Sequence, residues 1–308
     1  MVLNNIKISW VIATRNRLPF VKILLDRLIP NLQADEEIVI ADGNSTDGTV
    51  AYLEGLLAEG KIHGFISEKD RNQSHAWNKV FLMAKGQFIK KLIDDDVVDF
   101  DTVRNCVKEM EKLSDADICI SNDMSMRLDN SEWIEKHSRL EAFLTWKSGK
   151  VPSFTFGDVH LILRRSALPL IGLYNPTYHM MDYEYSLRIS YLQVGILYYT
   201  GYNALSISSD LTVSSKVTQD ILTQEGIRAN TMWYYAGDGS EISLWSKIKI
   251  RIGKWRDRIT GRKKQMNYSK ASNLSAMEIQ LQYQKAYEIL KSENLKHPGQ
   301  FIFSKDKA

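Results

Sequence analysis

The chain has 308 residues, 44% of them apolar and 25% charged, with 17 Gly, 6 Pro and 2 Cys. That composition excludes collagen, low-complexity disorder and a disulfide scaffold, and the length suits one large α/β domain with an appendage, or two small domains. The net charge of +3 is unevenly spread: Lys247 to Lys264 holds nine basic side chains against Asp257 alone, so a segment of +8 sits against a remainder of −5. Such a concentration points to an anionic surface met by one end of the molecule. Cys106 and Cys119 lie far apart, outside any CxxC spacing, and read as reduced residues of a cytosolic protein. The start, MVLNNIKISWVIATRN, has neither the basic-then-apolar order nor the small-residue cleavage site of a signal peptide. The longest charge-free run, Ile189 to Ser209, is broken by Ser190, Gln193, Gly195, Thr200 and Asn203, and reads as core strands with a polar turn. The expectation is a cytoplasmic protein, soluble or peripherally attached to the inner face of the cytoplasmic membrane.

In chain order, KISWVIA (Lys7 to Ala13) is β-rich, and Leu18 to Leu32 carries Val21, Leu24, Leu25 and Leu28 at helical spacing. EIVIA (Glu37 to Ala41) reads as a short buried strand, followed by the turn-rich DGNSTDGT; Ser45 or Thr46 is placed to cap a helix from Thr49 to Ala58. HGFIS is a third strand, SHAWNKVFLMA a third helix, and GQFIKKLI (Gly86 to Ile93) a fourth strand running straight into Asp94, Asp95 and Asp96. A helix from Thr102 to Leu113 and the strand Ala116 to Ser121 complete a series whose alternation implies parallel crossovers and a sheet covered on both faces. Beyond Asn122 the rhythm changes. SFTFGDVHLILRR reads as one strand entering a short helix at Ser166, MDYEYSLRISYLQ as a helix and GILYYTGYNALSIS as further strand. From Thr218 the pattern is helical only, with Ile221 to Tyr235, the basic segment and Ser275 to Ser292. The expected division is a catalytic unit over 1–238, split into a nucleotide-binding half (1–121) and an acceptor half (122–238), with a helical extension over 239–308 that breaks at Asp238-Gly239-Ser240.

Ligands of parallel sheets bind at the carboxyl ends of the strands. Three polar clusters each follow a strand directly, so Thr14-Arg15-Asn16, Asp42-Gly43-Asn44 and Asp94-Asp95-Asp96 are expected on one edge. Three adjacent carboxylates repel one another unless a cation sits among them, and hard oxygen donors suit Mg²⁺ or Mn²⁺, which take one or two carboxylates plus substrate phosphates. Alone, the triplet fits a solvated acidic helix cap equally well; its place after an apolar strand favours the metal.

At these residues the chain resembles glycosyltransferase family 2, inverting nucleotide-sugar transferases of the GT-A fold. The resemblance covers most of the first 200 residues, through WVIATRN, IVIADGNSTDGT, SEKDRNQSHAWNKVFLMAKGQFIKKLIDDDVV and MDYEYSLR in that order. It implies a mostly parallel Rossmann-type sheet with helices on both faces. It also implies a strand end at Thr14, Arg15 and Asn16 touching the nucleobase, Asp42 hydrogen-bonded to the base, and Arg71 at the diphosphate. Asp94 and Asp96 match the DXD metal motif, with Asp95 as donor contact or alternative ligand, and Asp182 matches the catalytic base. Two departures stand out: Met181 replaces the Glu that usually precedes that Asp, leaving Glu184 as a fallback base, and no histidine follows Asp182 before His297. Asp158 and His160 fall where the family builds its acceptor pocket.

The implied chemistry is a single inverting displacement. A metal ion neutralises charge developing on the leaving diphosphate, while Asp182, ionised at an ordinary pKa of about 3.9, takes the acceptor's proton. The implied substrates are a nucleotide sugar, a UDP-sugar by expectation, and a hydroxyl of a glycan or lipid-linked acceptor in envelope polysaccharide assembly. A second reading is a degenerate fold that only binds a nucleotide sugar or anchors an assembly complex; Met181 keeps it open. A nucleotidylyltransferase is disfavoured because TRNRLPF lacks that group's glycine-rich loop, and a hydrolase because no activated Ser, Cys or His arrangement is evident. In SLWSKIKIRIGKWRDRITGRKK, Trp245, Trp255 and neighbouring Ile residues recur at spacings of mostly three and four, with Lys249, Arg258 and other cations between them. That pattern suits an amphipathic helix on anionic lipid or one packed on the catalytic unit, and no aromatic platform accompanies it to favour nucleic acid.

Overall fold

The computed structural model describes residues 5–209, 217–237 and 274–306. Its main sheet has eight strands: β1 (Ile8–Thr14), β2 (Glu36–Asp42), β3 (Gly64–Ser67), β4 (Phe88–Leu92), β6 (Ile118–Ser121), β9 (Ile162–Arg164), β10 (Ile196–Tyr199) and β12 (Phe301–Phe303). Their order is β12-β10-β6-β9-β4-β1-β2-β3. Six run parallel; β9 lies antiparallel between β4 and β6, and β12 pairs antiparallel with β10. A second sheet joins β5 (Val97–Val98), β11 (Ala204–Ser208), β7 (Asp123–Arg127) and β8 (Asn130–His137) in the order β5-β11-β7-β8.

The near-continuous apolar runs of β1 and β2 follow from burial on both faces. Ile8, Trp10 and Ile12 enter one core layer with the helices α1 (Leu18–Asn31), α2 (Thr49–Ala58) and α4 (Phe100–Lys112), whereas Val11 enters the opposite layer. That opposite layer takes in α3 (Gln73–Met83), α5 (Leu140–Lys147), α6 (Leu168–Ile171) and α7 (Met181–Tyr191). Trp77 is fully buried there, and Cys106 and Cys119 are free and buried.

Several expectations are corrected. Neither Ser45 nor Thr46 caps α2: Gly48, at φ 93°, precedes the helix, and the Asp47 carboxylate accepts the Thr49 N–H at 3.1 Å. Ser45 is occupied elsewhere, on Asp42 and on the Asn16 N–H at 2.7 Å. SFTFGDVHLILRR holds only a three-residue strand, entered through a 3₁₀ turn at Asp158–His160. The β7–β8 hairpin and α5 had no clear pattern because β8 is largely solvent-facing. The helices-only reading after Thr218 fails at β12, a strand too short for periodicity to reveal.

The described C-terminal residues pack into the rest of the fold. The helix α9 (Ala276–Lys296) opens with a Ser275–Glu278 capping box and buries Ile279, Tyr283, Ala286 and Leu290 against Phe20, Val97, Leu205 and Ile207. The Tyr283 hydroxyl donates to the Asp95 carbonyl oxygen at 2.9 Å, and Phe301 stacks on Tyr199 with ring centroids 4.9 Å apart. The segment Lys247 to Lys264, with Trp245, Lys249, Trp255 and Arg258 around or within it, lies outside the described residues, as does the expected break at Asp238-Gly239-Ser240. Among the described residues no helix is long and apolar enough to cross a membrane.

Removing the Tyr283 hydroxyl leaves a buried carbonyl without its donor. Tyr283→Phe is therefore expected to cost about 1–2 kcal/mol, read as a lowered midpoint in urea unfolding. An unchanged midpoint would show that this bond contributes nothing to docking of the last helix.

Candidate active site

The six parallel strands end on one edge, and the polar clusters lie there as expected. Asp42 ends β2 fully buried: its carboxylate accepts the Ser45 N–H at 2.8 Å, the Ser67 hydroxyl at 2.8 Å and the Ser45 hydroxyl. It thus organises the loop after β2 from within. Asn16, at φ 53°, stitches the loops after β1 and β2 together, its side-chain oxygen accepting the Thr46 N–H at 2.7 Å. The space beside Gly43 is filled by the Asp70 and Arg15 side chains, so a Cβ there would lie 2.9 Å from an Asp70 carboxylate oxygen and would displace them. Arg15 and Arg71 are exposed on this edge. Asp70 is held by Lys79 at 2.7 Å and lies 3.3 Å from His75 Nδ1.

The acidic triplet is buried, and its members have different partners. Asp94 accepts the Thr14 hydroxyl on one oxygen at 2.6 Å, and its other oxygen forms an ion pair with Arg17, 2.9 Å from Nε. Asp95 takes a second nitrogen of Arg17 at 2.6 Å. Asp96 accepts the Ile207 N–H at 2.9 Å on one oxygen, while its other oxygen takes no hydrogen bond from the described residues. Burial pushes the Asp94 carboxyl up to about 6 against the pull of Arg17, with Asp95 adding repulsion. Asp96 is raised well above the usual carboxylate range, first by burial and then by Asp95. Arg17 was not singled out from the sequence. It lies one residue beyond the TRN cluster, and only the turn into α1 brings its side chain back over the triplet.

Among the described residues no three His, Cys, Asp or Glu side chains converge as a ready-made metal cage. The donor set is all carboxylate oxygen, which fits a hard divalent cation held by few protein ligands and completed by phosphate. Asp96 has one oxygen without a hydrogen bond from the described residues and Asp95 has only one oxygen paired with Arg17, whereas Asp94, expected beside Asp96, has both oxygens engaged. His297 ends α9 on the surface and contributes nothing to this set.

Asp182 stands in the first turn of α7, where the helix dipole favours a carboxylate, and its side chain is open to solvent. The turn is braced by Glu225 of α8 (Gln219–Met232), which accepts the backbone N–H groups of His179 at 2.8 Å and Met180 at 2.9 Å. Although open on one side, Asp182 is crowded on the others. That partial desolvation, then the Asp158 carboxylate, raises its pKa, while Lys91 opposes the rise. Lys91, on β4, ion-pairs with Asp158, lies 4.4 Å from the Trp77 ring centroid and lowers the pKa of Asp96 as well. It is the buried cation common to the surroundings of Asp96 and Asp182. A charged residue inside an apolar strand was the available signal.

The two residues expected at the acceptor pocket, and the fallback base, are internal. Asp158 is buried under Lys91 and the Tyr174 hydroxyl, the latter at 2.8 Å. His160 is buried 3.2 Å from Asp123, because the 3₁₀ turn tucks both residues against β4 and β6. Glu184 faces inward two residues beyond Asp182; Arg188 pairs with it at 2.7 Å and the Trp233 indole N–H donates to it at 3.1 Å. Met181 is also buried, its sulfur accepting the Ser74 hydroxyl at 3.4 Å.

A family model for glycosyl transferase family 2 matches residues 9–171, and the chain belongs to that family. A stretch of 78 residues is 33% identical to chondroitin synthase of Escherichia coli; it covers 25% of this chain and only 11% of that protein's length. The whole fold is similar to mannosyltransferase PcManGT from Pyrobaculum calidifontis, solved with GDP-Man and Mn²⁺ (TM-score 0.52, 15% identity, 94% of this chain and 86% of that one). It is similar also to S. aureus TarS 1–349, solved with UDP-GlcNAc (TM-score 0.53, 14% identity, 93% and 83%). The architecture is therefore that of the GT-A glycosyltransferases.

Burial lowers the His160 pKa to about 4, below the ordinary value near 6.5. Its unfolded state binds a proton first, so the stability that neutral His160 confers is present above pH 6.5 and is lost as pH falls towards 4. Wild type is expected to lose about 3 kcal/mol more than His160→Gln between pH 7 and 4, measured by denaturant unfolding at each pH. Parallel losses in the two proteins would contradict the assignment.

Proposed function

We propose that the chain is an inverting, divalent-metal-dependent glycosyltransferase. It moves a hexosyl or N-acetylhexosaminyl group from a nucleoside diphosphate, a UDP-sugar in the favoured reading, to a hydroxyl of a glycan or lipid-linked acceptor in envelope polysaccharide synthesis. The observation that carries this reading is the division of labour among carboxylates. Asp94 and Asp95 are tied to Arg17, Asp96 keeps an oxygen free beside them, and Asp182 alone stands open to solvent at a helix N-terminus. The solved relatives bind UDP-GlcNAc or GDP-Man with Mn²⁺, and the E. coli relative is named as a polysaccharide synthase, which supports the donor class, the metal and the polymer.

In this mechanism Asp96, with Asp94 and Asp95 adjoining it, holds Mn²⁺ or Mg²⁺, which supplies charge neutralisation to the donor diphosphate when bound. The loops after β1 and β2, shaped by Thr14, Arg15, Asn16 and Asp42, form the nucleobase wall. Arg71, exposed on the same edge, reaches towards the diphosphate. Asp182 accepts the proton of the attacking hydroxyl, and its raised pKa makes it a stronger base than an ordinary aspartate. The inward burial of Met181 weighs against a degenerate, binding-only fold, since the residue that departs from the family pattern is packed in the core. The basic stretch with Trp245, Lys249, Trp255 and Arg258 extends the proposal to an anionic membrane surface at the cytoplasmic face, a reading that rests on sequence alone.

Asp182→Asn is expected to abolish transfer while stabilisation by a nucleoside diphosphate with Mn²⁺ persists in a thermal shift assay. In wild type, kcat/KM is expected to fall on acidification with an apparent pKa above the ordinary 3.9 of aspartate. Full activity of Asp182→Asn would remove the base assignment; no thermal response to UDP, GDP, dTDP or CDP would remove the donor class.

A further inference from the structure

Three buried carboxylates in succession leave any apo state of this site in need of a cation. Here a side chain supplies one. Arg17 places Nε 2.9 Å from Asp94 and a terminal nitrogen 2.6 Å from Asp95, spanning two neighbouring residues with one planar fork. Its guanidinium carbon lies 4.3 Å from the Phe20 ring centroid, and Phe20 in turn packs on Tyr283 with ring centroids 6.1 Å apart. The Thr14 hydroxyl occupies the remaining oxygen of Asp94, and the Tyr283 hydroxyl fixes the backbone at the Asp95 carbonyl. The fork is therefore held on both flanks, and the lone pairs facing it are withdrawn from any incoming ion.

We propose that Arg17 is an internal counter-ion that keeps divalent metal out of the acidic triplet until a nucleoside diphosphate arrives with it. The inference rests on the metal-dependent reading above and adds to it an order of occupancy and the residue that sets it. With Arg17 in place, Asp94 has both oxygens engaged and Asp95 has one held by the guanidinium, so a lone ion meets one oxygen of Asp96 and at most the second oxygen of Asp95. That ligand count is too small to dehydrate Mg²⁺ or Mn²⁺ favourably, whereas the same ion carried on a diphosphate already has phosphate oxygens as ligands. Arg17 thereby couples the two bindings, and by linkage the diphosphate must gain from the metal what the metal gains from the diphosphate. Lys91 does not substitute for Arg17, because its ammonium is paired with Asp158.

The test is Mn²⁺ binding followed by the electron paramagnetic resonance signal of the free ion. It is run on wild type, Arg17→Met and Arg17→Lys, each alone and with UDP or GDP, with folding checked by circular dichroism. Wild type is expected to bind Mn²⁺ at least about tenfold more tightly with a nucleoside diphosphate than without. Removing the guanidinium charge in Arg17→Met is expected to tighten nucleotide-free Mn²⁺ binding by about tenfold or more and to shrink the coupling. Arg17→Lys, a single point charge unable to span both carboxylates, is expected to fall between them. Equal Mn²⁺ affinity in wild type with and without a nucleotide that itself binds would overturn the proposal without recourse to a variant. So would a folded Arg17→Met with unchanged nucleotide-free affinity. Absence of any Mn²⁺–nucleotide binding by wild type would instead overturn the functional reading on which the proposal rests.

Discussion

Mutual repulsion among Asp94, Asp95 and Asp96 is the constraint around which this edge of the molecule is arranged. Each carboxylate is at most 7% exposed, so water screens their repulsion poorly, and a bare cluster of −3 at the end of an apolar strand is not a stable native feature. The neighbouring elements each answer part of that charge. β1 contributes the Thr14 hydroxyl, the turn into α1 contributes Arg17, β11 contributes the Ile207 N–H, and α9 pins the Asp95 carbonyl through Tyr283. Asp96 receives the least neutralisation and keeps the strongest drive to share a cation. The site is thus built with a deficit of positive charge at one defined residue, and the proposed binding of a metal–diphosphate rests on that deficit.

The same strand carries charge back into the sheet. β4 holds Lys90 and Lys91 on opposite faces, both buried, and they meet different ends. Lys90 donates to the Val159 carbonyl, and burial lowers its pKa to about 7. Lys91 has a carboxylate partner in Asp158, supported by the Tyr174 hydroxyl and the Trp77 ring. Because Asp158 sits on the turn that enters the antiparallel strand β9, the pair fastens the inserted half of the fold to the central strand. Asp158 is therefore a structural acid that also tunes Asp182 by repulsion, a role distinct from contact with an acceptor.

Legibility in the sequence followed period and burial. β1, β2 and β4 are buried strands covered on both faces, and apolar helical spacing marks the helices between them, so the first part of the sheet and its strand-end clusters could be read directly. Asp42, the triplet and Asp182 were likewise visible because each follows or opens a periodic element. Orientation was not legible. Asp158, His160 and Glu184 look like exposed acceptor-site candidates as letters, yet a 3₁₀ turn and the helical phase of α7 turn all three inward. Arg17 was overlooked beside Arg15 for the converse reason: arginines two positions apart in a non-periodic turn can point anywhere, and only the geometry separates the exposed one from the one that pairs with two aspartates.

The C-terminal helix shows most clearly why a site of this kind is not confined to the residues that chemistry would nominate. Tyr283 of α9 lies 188 positions beyond Asp95 in the sequence, yet the buried face of the helix reaches the turn on which the carboxylates sit. Its apolar side packs on Phe20, which in turn stacks against the Arg17 guanidinium. Any displacement of this helix therefore acts on the triplet twice, through the backbone of Asp95 and through the ring that backs Arg17. The long-range contact makes the geometry of the acidic loop depend on the closing segment of the chain.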